Sequence, residues 1–184
     1  MLQFLKILYS LKFPFSKRLV PSLIKRFFIN KTQIIKLDFG KIKIDLAQSI
    51  DREIYLNQFY EKKQLMFLKK ISSLKKINHF FDVGANIGYY SLFFQKIKNI
   101  YAFEPNKKNF LRLKENIVLN NLDINLYNFG LSNSNSKKEI WYTNRDKMGG
   151  SAIFERNDPE LKKYKDENII KEKIITKKLD DIIH

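Results

Sequence analysis

Asp82-Val83-Gly84-Ala85-Asn86-Ile87-Gly88 is the stretch whose reading decides the fold. It closes a short apolar run, His79 to Val83, and opens onto Tyr89–Ile97, whose apolar spacing is helical. Strand, glycine turn and helix follow in order, and the unit then repeats. Residues 100–104, IYAFE, read as a second strand. Pro105 and Asn106 open a helix running to about Asn120, with Phe110, Leu113 and Ile117 on its inner face. Residues 124–129, INLYNF, read as a third strand. Two β-α units with strands this short predict an α/β fold, a doubly wound parallel sheet covered by helices.

In such a sheet ligands bind beyond the carboxyl ends of the strands. Gly84 and Gly88 permit a close backbone approach that a Cβ would block. Asp82, at the end of the first strand, can accept loop amides or hold a positive amino-acid group. Glu104 closes the second strand and can accept both hydroxyls of a ribose. Asn128 and Leu131, after the third strand, are placed for an adenine edge and face. The dinucleotide fingerprint G-x-G-x-x-G sets a pyrophosphate on a helix N-terminus. Here the spacing is G-x-x-x-G with an acid two positions earlier, which suits an ammonium better than a pyrophosphate. S-adenosylmethionine carries an amino acid and a sulfonium but no phosphate, so the pattern favours it over a nicotinamide cofactor. A purely structural glycine turn is the weaker reading, because Glu104-Pro105 also follows the next strand.

From Asp51 onward the chain resembles the FkbM-type methyltransferases. The resemblance includes Asp51-Arg52-Glu53-Ile54-Tyr55 and Tyr60-Glu61, then FDVGANIGYYSLFF, YAFEPN at 101–106, LKENIVLNNL at 113–122 and NFGLSN at 128–133. Gly149-Gly150-Ser151 and Leu179-Asp180-Asp181-Ile182 also match. It implies a Rossmann-like class I methyltransferase sheet and methyl transfer to a hydroxyl of a sugar, glycan or secondary metabolite. By position, Asp82, Gly84, Ala85, Asn86 and Gly88 would line the cofactor, Glu104 would hold the ribose, and Asn106 and Asn128 would be peripheral contacts. The family's pattern continues past Leu-Asp-Asp-Ile with a fourth strand beside the first. The sheet is therefore expected to be incomplete, through a truncated gene product, a split gene whose second chain completes the sheet, or a fragment.

Three segments are expected: a basic amphipathic stretch at 1–30, a hairpin and helix at 31–78, and a partial methyltransferase domain at 79–184. Residues 33–46 alternate around Phe39-Gly40 as a β-hairpin, and 51–77 have helical spacing through Ile54, Phe59, Leu65, Leu68 and Ile71. Within 1–30, Lys6 and Lys12 interrupt the apolar run, excluding a spanning helix and a signal peptide. Pro21 is placed to start a second short helix. The segment reads first as helix packed on its own domain or on a partner, and second as an amphipathic foot on an anionic membrane. Past the core, 139–143 and 169–176 read as strands, AIFE at 152–155 as another, and LDDII as a helix start.

The absence of cysteine excludes disulfides and thiolate chemistry and fits a cytoplasmic setting, and two histidines make a histidine metal site unsuited. A net charge of +16 raises nucleic acid as a partner, but Lys is spread along the chain and no RNA-binding motif accompanies it. Neither His79 nor His184 is a convincing general base, so no catalytic residue is assigned. Trp141, Tyr142 and the 147–151 loop are equally a piece of an acceptor pocket or a solvent-edge hairpin. Three functions follow in order: a small-molecule or glycan O-methyltransferase, an inert remnant, and a nucleic-acid module.

Overall fold

The computed structural model describes residues 1–11, 15–27, 32–143 and 169–182. The expected loop at 147–151, the AIFE strand and His184 lie outside them. Two helices come first, α1 (Leu2–Ser10) and α2 (Ser16–Phe27). Pro21 does not start a helix; it lies inside α2. Ser16, Val20 and Ile24, one turn apart, are all buried, and that continuous packing carries the helix across the one donor that proline removes.

The hairpin forms as expected: β1 (Thr32–Leu37) pairs antiparallel with β2 (Gly40–Asp45), Leu37 opposite Gly40. The helical stretch at 51–77 is two helices, α3 (Ser49–Asn57) and α4 (Lys62–Lys75). Gln58 and Glu61 both turn left-handed, at φ 60° and 50°, so the chain breaks with neither Gly nor Pro to mark it. The break lets the Tyr60 amide reach the Tyr89 hydroxyl at 3.1 Å.

The parallel sheet follows. Strands β3 (His79–Val83), β4 (Asn99–Phe103) and β5 (Asn125–Tyr127) lie in that order, joined by α5 (Tyr89–Phe93) and α6 (Lys107–Leu119). The three strands run parallel in sequence order, as in a Rossmann-like sheet, and the turn after β3 leaves from the carboxyl end of the strand. Among the described residues β3 is an edge, and it is less buried than an apolar run predicts: Asp82 is buried, but Val83 is 60% exposed. A second sheet is mixed. β6 (Gly130–Leu131) runs parallel to β8 (Ile169–Lys177), which pairs antiparallel with β7 (Ser136–Thr143). Trp141 on β7 is buried, with the Lys171 ammonium 4.3 Å from its ring. The expected helix after residue 178 is a single 3₁₀ turn, Leu179–Asp181.

One apolar cluster joins the elements. Leu5, Val20 and Ile24 belong to the same core as Ile42, Ile44 and Leu46 of the hairpin, and as Ile87, Leu92, Leu113 and Ile117 of the sheet unit. Asparagines dock α6 on the hairpin. Asn116 Oδ1 accepts the Lys43 amide at 2.7 Å and Asn120 Oδ1 the Lys41 amide at 2.7 Å. Asn120 Nδ2 returns a bond to the Lys41 carbonyl at 2.6 Å. Two amide side chains four residues apart thus satisfy the free edge of β2 as a neighbouring strand would. Asn116 Nδ2 also donates to the Ile87 carbonyl at 2.8 Å, tying the glycine turn to the same clamp.

Candidate functional site

The turn after β3 is built from backbone angles that its sequence supplies. Gly84 and Gly88 have φ 81° and 85°, and Asn86 has φ 51°. Glycine and asparagine are the residues that enter this region at least cost. The amides of Gly84 and Ala85 both reach the Phe103 carbonyl, at 2.9 and 3.0 Å, so the turn folds over the end of β4.

The two glycines differ in what surrounds them. A Cβ on Gly84 would meet no atom within 4 Å, so the space beside it is open to a ligand. A Cβ on Gly88 would lie 2.6 Å from Leu113 Cδ1. Gly88 therefore serves the packing of α5 on α6, not the expected approach of a ligand to the backbone.

The acids are committed to the frame. Asp82 Oδ2 accepts the Ser91 amide at 2.9 Å and the Ser91 hydroxyl at 2.6 Å, so the carboxylate braces the first turn of α5. Burial raises its pKa, against the pull of those Ser91 bonds. Glu104 Oε2 accepts the Asn86 amide at 2.8 Å, and Oε1 the Asn106 amide at 2.9 Å. Burial pushes its carboxyl up to about 6; the two amide bonds oppose this, while nearby Asp82 and Glu172 add to it. Each carboxylate oxygen retains a second lone pair, so a ribose hydroxyl can still be accepted.

Asn106, expected as a peripheral contact, has no exposed surface. Its Oδ1 caps α6 through the Asn109 amide at 2.9 Å, and its Nδ2 donates to Glu172 at 2.7 Å. These bonds make it a structural residue linking α6 to the second sheet. Asn128 directs its amide nitrogen to the Glu104 and Pro105 carbonyls, at 2.9 and 3.2 Å, and holds the chain after β4. Leu131 lies half-buried on β6. Trp141 belongs to the second sheet, and the 147–151 loop expected beside it lies outside the described residues.

A cavity of about 540 Å³ opens on the turn. Asp82, Gly84, Ala85 and Asn86 line it; Gly88, Glu104, Asn106 and Asn128 do not. Tyr60, Glu61, Tyr89 and Tyr90 line it as well, with Phe80, Phe81 and aliphatic side chains making up the rest of the wall. Tyr90 donates its hydroxyl to Glu61 Oε2 at 2.7 Å, and burial, with Glu61 second, raises the Tyr90 pKa well above that of a free tyrosine. The sequence pointed only indirectly to these four, through Tyr60-Glu61 and the Tyr pair after Gly88. Among the described residues no Lys, Arg or His lines the cavity, although the chain carries 35 Lys and Arg. Among the described residues its charged groups are Asp82 and Glu61. A wall of acids and aromatics without a base fits a cationic, ring-bearing ligand and opposes a phosphate.

His79 does not reach this site. It is exposed at the start of β3, stacked on Tyr101 with ring centroids 6.1 Å apart, at the opposite end of the strand from the turn. A larger hollow of about 700 Å³, lined by Phe39, Phe59, Met66 and Lys69 among others, includes none of the turn residues. Among the described residues no group of three or more His, Cys, Asp and Glu is placed to hold a metal, and no helix is long and apolar enough to cross a membrane.

Comparison with known proteins places these features in context. The family described as the methyltransferase FkbM domain matches residues 82–184, more than half of the chain. No curated protein matches it. Among solved structures it is similar to a tRNA m1G37 methyltransferase from M. jannaschii, at 20% identity and a TM-score of 0.39, over 57% of this chain and 36% of that one. It is also similar to Methanocaldococcus jannaschii Trm5 in complex with adenosine, at 22% identity and a TM-score of 0.38, over 56% and 34% of the two chains. The chain thus spans about a third of the length of the solved proteins it matches.

Proposed function

The chain belongs to the methyltransferase FkbM domain family, and on that premise we propose that its Asp82–Asn86 turn holds S-adenosylmethionine for transfer of a methyl group to a hydroxyl of a sugar, glycan or secondary metabolite. The observation that carries the cofactor reading is the composition of the cavity: two carboxylates, five tyrosine and phenylalanine rings, and, among the described residues, no base in a chain of net charge +16. Bound there, the cofactor supplies an electrophilic methyl group on a sulfonium.

The chain's own residues do the rest. Asp82 and Glu61 offer carboxylate oxygens to an ammonium, and Tyr90 fixes the Glu61 oxygen that it bonds. An ammonium beside Asp82 favours the ionised carboxylate that burial opposes. The open space at Gly84 admits ligand atoms against bare backbone. Glu104 lies behind the turn and outside the cavity wall, and with a lone pair left on each oxygen it would take the ribose hydroxyls of a cofactor that reaches past Asn86. The tyrosine rings would offer their faces to the cationic centre of the bound cofactor. The hydroxyl acceptor is expected to need a base to receive its proton; none of the cavity residues is assigned that part.

Calorimetric titration of the full chain with S-adenosylmethionine tests this reading. Saturable binding is expected, weakened at least tenfold by Asp82→Ala, with NADH giving no heat. Binding of NADH in preference, or Asp82→Ala affinity equal to that of the parent, would overturn the assignment.

A further inference from the structure

We propose that the outward faces of α1 and α2 dock on an anionic lipid surface, a contact independent of the cofactor site. Helix α1 has two apolar faces. Leu5 is buried, and Leu2, Leu8 and Tyr9 pack beside it on the core. Met1, Phe4, Ile7 and Leu11 point away from the body and are 75, 60, 58 and 66% exposed. Their spacing of three, three and four residues puts them in one stripe. On α2, Ser16, Val20 and Ile24 face inward and Leu19 is 50% exposed, while Phe15 just before the helix and Phe27 at its end are 73 and 57% exposed.

The stripe comes with one sign of charge. Residues 1–37 contain eight Lys and Arg and no Asp or Glu. Lys17, Arg18, Lys25 and Arg26 are exposed on α2, against which α1 packs. Apolar side chains beside basic groups are the two halves of an interfacial helix: the first enters the headgroup–acyl boundary and the second meets anionic headgroups. Both helices are too short to span a bilayer, at 9 and 12 residues, so they lie in the surface plane.

The other occupants fit less well. A second copy would bring two all-basic surfaces together. A nucleic acid would use the cations but has no need of Phe4, Ile7 and Leu11. Because the inner faces are already seated on the core, the helices are ordered before they meet the surface, and docking need not fold them.

Co-sedimentation of the full chain with phosphatidylcholine vesicles, with and without roughly a third phosphatidylglycerol, tests the proposal. Binding to the anionic vesicles is expected to be at least about tenfold tighter than to the neutral ones, and to weaken in about 0.5 M salt. The triple variant Phe4→Ser, Ile7→Ser, Leu11→Ser should lose at least tenfold in vesicle affinity while keeping the parent's circular dichroism and melting temperature. The pair Lys17→Glu, Arg18→Glu should lose the preference for anionic lipid. Equal binding to both vesicle types, or undiminished binding by the triple variant, would overturn it. So would a parent dimer in sedimentation equilibrium that the triple variant dissolves, or an RNA oligomer that binds more tightly than the anionic vesicles.

Discussion

Gly84 and Gly88 have nearly the same φ, 81° and 85°, yet they need glycine for different reasons, and substitution separates them. Gly84→Ala meets only backbone strain, about 1 kcal/mol. The variant should fold, and its methyl should fill the ligand's space and weaken S-adenosylmethionine binding at least tenfold in calorimetry. Gly88→Ala adds a contact at 2.6 Å to Leu113. It should lower the stability measured by urea unfolding by about 2–3 kcal/mol, and Leu113→Ala in the same chain should recover part of that loss. Glu104 makes a pH prediction. Its folded pKa is raised to about 6 from 4.5. Its contribution to stability is thus fully present below about pH 4.5 and lost as pH rises through about 6, a change of about 2 kcal/mol. Wild type measured against Glu104→Gln should lose that difference between pH 4.5 and 7, while cofactor affinity gains over the same interval as the carboxylate ionises. An unchanged difference across the interval would show that Glu104 does not titrate there. At this scale the sequence identified the acids and glycines but not their partners. Asp82 was legible as an acid at a strand end; that Ser91 takes one of its oxygens depends on α5 starting at Tyr89.

Between elements, the junctions rest on polar side chains that local periodicity does not reveal. Asn116 and Asn120 read as ordinary polar positions of a helix, and only the hairpin's placement turns them into a substitute strand. Asn116→Leu should leave the Lys43 amide and the Ile87 carbonyl without their partner and cost about 1–3 kcal/mol in chemical unfolding. Asp51 is a second case. Its Oδ2 accepts the Asp45 amide at 2.6 Å and pairs with Arg112 of α6. The Arg52 guanidinium donates to the Leu46 and Ala47 carbonyls at 2.9 and 2.7 Å. The Asp51-Arg52 dipeptide is thus a brace between the hairpin, α3 and α6, not part of the cavity. Arg112→Ala should strand a buried carboxylate and lower stability by about 3–5 kcal/mol at neutral pH. A melting temperature unmoved by that change would show that the ion pair is dispensable. The β-hairpin, the first strand–turn–helix and the capped start of α6 were legible because alternation, Gly84 and Asn106 are local signals. The break at Gln58 and Glu61 was not, since left-handed turns at these residue types are imposed by where Tyr60 must go.

For the molecule as a whole, three segments were expected from composition, but the side chains of all three share one apolar cluster. Composition shifts mark changes of surface, and they do not show which residues meet inside. The parallel order of β3, β4 and β5 was legible from the repeated strand–helix pattern, whereas the second sheet joins β7 to β8 across a long sequence separation that no periodicity encodes. Trp141 is the chain's one tryptophan, and it sits in that second sheet, outside the residues that wall the cavity. Its position makes it an optical reporter with a restricted field of view. Indole emission on heating follows the β6-β8-β7 sheet, while the part of the near-ultraviolet tyrosine dichroism that Tyr60→Phe, Tyr89→Phe and Tyr90→Phe remove follows the cavity. Ligand addition should therefore alter the tyrosine band and leave the emission maximum in place, so one sample distinguishes filling of the site from loosening of the sheet beside it.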